Sequence, residues 1–489
     1  MNKKRVAIIK AEKQDYPNKP PFNPPEKYPE YPFEEIDKTN TVYTAVRDIL
    51  SHLDLDKENY GKTNWNPFKD LIQPGNTVVI KPNFVVDTHV GGEDIYSIIT
   101  HPSVLRAIAD YCFIALNGKG HLIIADNPLG HCDFTNLLQV TKLQSIKEFY
   151  KGQSGFEIYI YDLRKMMYPM NEFQFTESKS KITLNGDPIG YNIVDLGQLS
   201  QLNLIKNSGR FQGTDYNRQE TIKHHSGNKH EYLIPNTILS ADVIISVPKL
   251  KVHKKAGVTL NLKNMVGISG DKNYLPHFRL GSPKNGGDET PDDLTLKLRL
   301  QLRLMRFGSD YFLSKHSIFL DTVIKSMVRF IQNIDKNFID NIDKISPGNW
   351  YFNDTIWRVL IDLNRILLYA NKDGSLHPEQ KRKYFSIIDG IIGGEQEGPI
   401  NPKPKQCGVL IGGFDPFLVD IAATRLMGFD YQKMPQYKNI PSLKEYKISE
   451  FTEKDIEIIT NTNEYRGVLK DKNNRYFNFK PSKGWEGHL

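Results

Sequence analysis

Cysteine is scarce: the 489-residue chain has three, Cys112, Cys132 and Cys407. That is too few for a disulfide framework or for the four thiolates of an iron–sulfur cluster, and it fits a reducing compartment. Long apolar runs are missing too. Nowhere do about 18 apolar residues follow one another, so no membrane-spanning helix is expected. The apolar stretch behind the basic start MNKKR is too short for the core of a secretory signal. There is no GxGxxG after a strand, no P-loop GxxxxGK and no GxSxG. Dinucleotide dehydrogenases, P-loop NTPases and α/β-hydrolases are thereby disfavoured. The expectation is a cytoplasmic protein with neither an iron–sulfur cluster nor a dinucleotide fingerprint.

What is present is an ordinary globular composition, 39% hydrophobic and 25% charged, at a length that suggests two or three domains. Apolar strand-like runs recur at VAIIKA (6–11), TVVIKPNF (77–84), HLIIADNP (121–128), ADVIISVPK (241–249) and YFSIIDGIIGGE (384–395). A helix is expected near 41–53, and another over 102–117, capped by Thr100 and opened by Pro102. Strand, helix, strand at this spacing is a βαβ unit with parallel strands. The expected fold class is α/β: a mostly parallel sheet core with a ligand crevice at the strand C-terminal ends, plus a mixed insertion and a helical subdomain. The corresponding segments are an N-terminal α/β unit (1–140), a β-rich insertion (141–235), a core segment with a basic motif (236–290), a helical insertion (291–380), a C-terminal core segment (381–430) and a surface-wrapping tail (431–489).

Charge is distributed unevenly. The formal net charge is +7, and residues 249–284 alone carry eight Lys or Arg against one acid, Asp271, so this segment accounts for the whole excess. Lysines on a solvated face normally come with compensating acids; a run without them calls for an anion. The clustering around His and Asn, rather than along an aromatic-laced stripe, argues against sequence-specific nucleic-acid binding. Four strand ends carry polar punctuation: Lys81-Pro-Asn83, Asp126-Asn127-Pro, Pro248-Lys249 and Gly-Gly-Phe-Asp415-Pro. In open α/β sheets ligands bind beyond the carboxyl ends of strands, so these residues are expected to share one crevice. Asp415 has a second reading, as the cap of the helix FLVDIAATRLMG. Asp389 and Glu395 flank what reads as a Gly-rich turn. His224, His225 and His230 form a polar-loop cluster without a nearby Cys or an HExxH pattern, and no metal is assigned to it.

Several stretches together resemble the bacterial and archaeal family called domain of unknown function 362. They are GNTVVIKPNF with THPSVLRAIADY and LIIADNP, then ADVIISVPKLKVHKKAGVTLNLKNMVGI, then IIDGIIGGEQEGP with GGFDPFLVDIAATRLMGFD. Some relatives carry a ferredoxin-like module; with three scattered cysteines this chain resembles the branch without iron–sulfur cysteines. A similarity in layout to nickel-dependent lactate-racemase-like proteins rests on a strand-end His and Lys site.

The leading expectation is an enzyme acting on a small phosphorylated or carboxylated substrate. Lys81, Lys249, Lys251 and Lys263 would hold the anion, with Thr259 supplying a neutral hydrogen bond. His253 would act as general acid or base, with His101 or His277 as the second candidate; neutral His among lysines suits a base near pH 7. Asn83 and Asn264 would orient the ligand, and Glu395 or Asp126 would bind a hydroxyl, an amine or a divalent cation. Isomerisation, transfer and lyase chemistry are all left open. The alternatives are a non-catalytic protein docking on an anionic partner or a membrane surface through 249–330, with peripheral inner-membrane contact through 294–330, and a lactate-racemase-like isomerase.

Overall fold

The computed structural model describes residues 2–168, 181–205, 208–213, 217–296, 298–300, 302–303, 306–307, 326, 347–471, 474 and 476–489. The apolar runs form strands of one ten-stranded sheet. In chain order they are β1 (Arg5–Lys10), β2 (Thr77–Pro82), β3 (His121–Asp126), β4 (Ile158–Asp162), β5 (Val243–Val247), β6 (Lys249–His253), β7 (Gly257–Thr259), β8 (Lys383–Glu397), β9 (Asn401–Gly413) and β10 (Glu457–Thr460). Across the sheet the order is β10-β1-β9-β8-β5-β2-β3-β4, with β6 beside β8 and β7 beside β6. Strands β8, β5, β2, β3 and β4 are mutually parallel. β9 is antiparallel to both β8 and β1. The fold is therefore mixed α/β on a mostly parallel sheet.

Both faces of the sheet are covered, which is why its strands read as near-continuous apolar runs. Side chains alternate between two cores. Val78, Ile80 and Ile124 join one core with helices α1 (Thr41–His52) and α2 (Pro102–Leu116). Val79, Ile123 and Ile244 join the other. That second face holds the single turn α3 (Asn261–Asn264) and the helices α4 (Ile356–Tyr369) and α5 (Pro416–Met427).

Three features differ from the pattern-based expectation. The residues read as a surface-wrapping tail supply an edge strand, β10, because its EIIT run pairs in parallel with β1. The segment read as an insertion from 141 onward supplies β4, which extends the central sheet beside β3. Asp389 and Glu395 flank no turn: both lie within β8, whose glycines allow close approach of neighbouring chain. A Cβ on Gly394 would stand 2.5 Å from the Ser97 carbonyl oxygen.

The crevice arises where β5 ends. Val243–Val247 pair with β2, but after Pro248 the chain continues as β6 along β8 and no longer pairs with β2. The carboxyl ends of β2 and β3 are thus left open toward the β6–β7 hairpin and α3.

Candidate functional site

A cavity of ≈ 270 Å³ occupies that opening. Lys81 and Asn83 reach it from the end of β2, and Asp126 and Asn127 from the end of β3. The β6–β7 hairpin brings His253, Lys254, Lys255 and Thr259, α3 brings Lys263 and Asn264, and the chain beyond brings Gly267, Lys272 and His277. Phe84, Val85, Leu129, Val266 and Ile400 form its apolar wall. Five lysines line the space against one carboxylate, Asp126.

That carboxylate is already committed. Lys81 Nζ donates to Asp126 Oδ1 at 2.7 Å, and both side chains are almost wholly buried. Asp126 also accepts from the backbone N–H of Phe84 (2.6 Å) and of Asn127 (2.7 Å). Asn264 ties the floor together: its Oδ1 accepts from Lys81 (3.2 Å) and from Asn83 Nδ2 (3.3 Å), and its Nδ2 donates to the Lys81 carbonyl and to Ser246 Oγ. Gly267 packs against this pair so closely that a Cβ would lie 2.2 Å from Asp126 Oδ1. The single turn α3 is held by Asp420 of α5, which accepts from the backbone N–H of Asn261 (2.8 Å) and Leu262 (3.0 Å).

The remaining cations differ in how they are satisfied. Lys272 Nζ donates to the carbonyls of Asn127 (2.9 Å) and Val266 (3.1 Å). Lys255 Nζ is tied to Asn349 Oδ1 (2.8 Å), and Lys254 pairs with Glu397 (3.1 Å). Lys263 has no hydrogen-bond or ion-pair partner among the described residues. Burial lowers both Lys263 and Lys272 to about 7; neighbouring ammonium groups add to the effect, while Asp126 partly opposes it at Lys272.

The two histidines are held in opposite tautomers by their hydrogen bonds. His253 Nδ1 accepts from the backbone N–H of Lys255 (3.1 Å), which leaves the proton on Nε2. His277 Nδ1 lies 2.8 Å from the Leu275 carbonyl, which can only accept, so Nδ1 carries the proton and Nε2 a lone pair. Burial pushes His253 far below its ordinary value and His277 down to about 3. Of the neighbouring charges, the Lys263 ammonium does most to depress each ring. Three buried polar atoms of the lining, Asn83 Oδ1, Asn127 Oδ1 and Thr259 Oγ1, have no partner. A ligand that combines an anionic group with hydrogen-bonding oxygens would satisfy them.

Of the residues singled out by sequence, Lys81, Asn83, Asp126, His253, Thr259, Lys263, Asn264 and His277 come together here. Lys249 and His101 do not. They belong to a separate buried cluster in which Lys249 pairs with Asp389 at 3.0 Å, Tyr16 Oη donates to Asp389 (2.6 Å), and the Tyr16 ring stacks on His101 at 4.0 Å. His101, rather than Thr100, caps α2, its Nδ1 accepting from the Ser103 N–H. Lys251 is buried and donates to the Ile98 (2.6 Å) and Pro399 (3.2 Å) carbonyls. Glu395 pairs with Lys405 at 3.0 Å. Asp415 caps α5 and sits at the opposite end of the sheet, because β9 runs antiparallel to β8.

Sequence reasoning passed over Lys255, Lys272, Asn127 and Asn349. The lysines lay in the basic run already noted, and Asn127 stood beside Asp126. Asn349 is brought in from far along the chain and carried no local signal. Residues 294–330 lie mostly outside the described residues. Among the described residues no group of three or more His, Cys, Asp and Glu is placed to hold a metal ion, and no helix is long and apolar enough to cross a membrane. A larger open cleft of ≈ 750 Å³ lies beside Arg279, Tyr351 and Trp357, where Arg279 is already paired with Asp354 at 3.2 Å.

The fold and crevice define the class: a mixed α/β protein on a mostly parallel sheet, with a basic cavity at the carboxyl ends of adjacent strands. Residues 202–425 match the family model described as a domain of unknown function (DUF362). The match takes in the β6–β7 hairpin, α3, Lys272 and His277, whereas Lys81, Asn83 and Asp126 lie ahead of it. No curated protein and no solved structure matches the chain.

Proposed function

We propose that the chain is an enzyme acting on a small carboxylated or phosphorylated substrate bound in the ≈ 270 Å³ cavity. The observation that carries this reading is the convergence of five lysines on one space, of which Lys263 and Lys272 have no acidic partner among the described residues, while Lys81 and Lys254 are paired with Asp126 and Glu397. Uncompensated positive charge at a partly apolar site is stabilised by a bound anion. The anion draws on Lys272, with Lys263 beside it in the same cavity. The Lys81–Asp126–Asn264 network behind them is a positioning element, since its polar atoms are already occupied.

The two imidazoles supply the reason to favour chemistry over simple binding. His277 presents a lone pair at Nε2 and His253 a proton at Nε2, so one site offers an acceptor and a donor at the same pH. A bound anion offsets the lysine charges that depress both rings, which raises their affinity for protons toward the range that suits proton transfer.

The test is a thermal-shift titration with sulfate, inorganic phosphate and small carboxylates, compared with Lys272→Met. A ligand that binds the folded state raises the apparent melting temperature with concentration. The expected outcome is a saturable rise in the wild type that shrinks in the variant. A rise that is linear and equal in both proteins would be a general salt effect and would sink the proposal.

A further inference from the structure

We propose that Lys263 is a nucleophilic amine that forms an imine with the carbonyl carbon of a small anionic aldehyde or ketone. This rests on the anionic-substrate reading above and names the substrate class within it. Three observations of geometry support it. Lys263 alone among the cavity lysines has no hydrogen-bond or ion-pair partner among the described residues, so its nitrogen is not anchored to a structural role. It lines the same cavity as both imidazoles, one of which has a donor and the other an acceptor at Nε2. Its backbone is fixed by the Asp420 cap on α3, which fixes the origin of an otherwise flexible side chain.

A half-buried amine beside other ammonium groups keeps a free lone pair near neutral pH, and here burial and the neighbouring Lys255 and Lys81 charges lower it to about 7. The step balances within the site. The Lys263 lone pair forms the C–N bond as the carbonyl π pair moves onto oxygen, which His253 Nε2–H stabilises by hydrogen bonding. His277 Nε2 takes a proton from the new nitrogen and returns it to that oxygen. The C–O bond then breaks as the nitrogen lone pair forms the C=N bond. His277 carries the second nitrogen proton to the departing hydroxide, and one imine and one water result. Lys272, whose ammonium keeps one N–H beyond its two carbonyl bonds, holds the carboxylate or phosphate.

The experiment is reductive trapping of the full-length protein with cyanoborohydride in the presence of pyruvate, dihydroxyacetone phosphate or uncharged acetone, followed by intact mass and peptide mapping. One adduct on the peptide containing Lys263 is expected with at least one anionic probe, and pyruvate against dihydroxyacetone phosphate tells carboxylate from phosphate. Its yield should rise with pH through about 7 and be lost in Lys263→Arg. Mapping the wild-type protein needs no variant to fold. An adduct spread over surface lysines, equal labelling by acetone, or no adduct would overturn the inference. If sulfate still raises the melting temperature while trapping fails, this inference falls and the anionic-substrate reading stands. If sulfate does not, that reading falls first.

Discussion

At the level of single residues, the site depends on lysines kept from full protonation. Lys263 and Lys272 titrate at about 7 in the folded chain against an ordinary value of 10.5. Between those values the unfolded chain binds more protons than the folded one, so stability falls as pH drops from about 10.5 to about 7 and levels off below that. The ligand-free protein should therefore melt at higher temperature at pH 9 than at pH 7. An anion favours the charged amines, so sulfate binding near pH 8 should take up protons and weaken as pH rises further. Calorimetry in buffers of different ionisation enthalpy would read this directly; proton release on binding would contradict the assignment. The local excess of positive charge between 249 and 284 was legible in the sequence because its acids are missing. Which lysine faces the cavity was not legible. Lys249 and Lys251 sit in the same KLK stretch, yet one pairs with Asp389 and the other with two backbone carbonyls.

At the level of elements, close approach and capping explain residues that motif reading alone could not sort. Gly267 accommodates the Lys81–Asp126 pair, and Gly267→Ala would place a Cβ 2.2 Å from a carboxylate oxygen. Overpacking of that kind costs about 1–3 kcal/mol, and it should also diminish the sulfate-induced thermal shift because the pair must move. Asp415 offers the contrasting case. Its carboxylate accepts from the N–H groups of Phe417 and Leu418, so Asp415→Ala should cost about 1 kcal/mol in urea denaturation as a lost cap. Its sulfate response should be unchanged, because β9 points this end of the chain away from the cavity. A selective loss of anion response in Asp415→Ala would contradict that placement. The sequence pattern showed the strand and the helix here but not the strand's direction, which hydrogen-bond pairing across the sheet decides.

At the level of the whole molecule, the buried Lys249–Asp389 pair joins β6 to the middle of β8 and, through Tyr16, to the N-terminal Pro-rich stretch. Both side chains are fully buried, so removing one charge strands the other. Asp389→Asn should cost about 3–5 kcal/mol of stability, read from chemical denaturation. A near-neutral effect would mean that the amide replaces the carboxylate toward Tyr16 and the His101 N–H without leaving a buried charge unpaired. The cluster stands apart from the cavity, so any anion response measured in a folded variant should survive.

The sequence by itself determined the α/β class, the parallel βαβ unit of β2 and β3, and the local excess of positive charge. Each of these is written in short-range pattern: apolar periodicity, helix punctuation and the balance of charged residues along one segment. Only the tertiary structure decided which polar residues share a cavity. That depends on the departure of β5 from β2 at Pro248, on the reversed direction of β9, and on the arrival of Asn349 from a distant part of the chain. Such pairings are set by strand register and packing between segments far apart in sequence, and no local spacing encodes them.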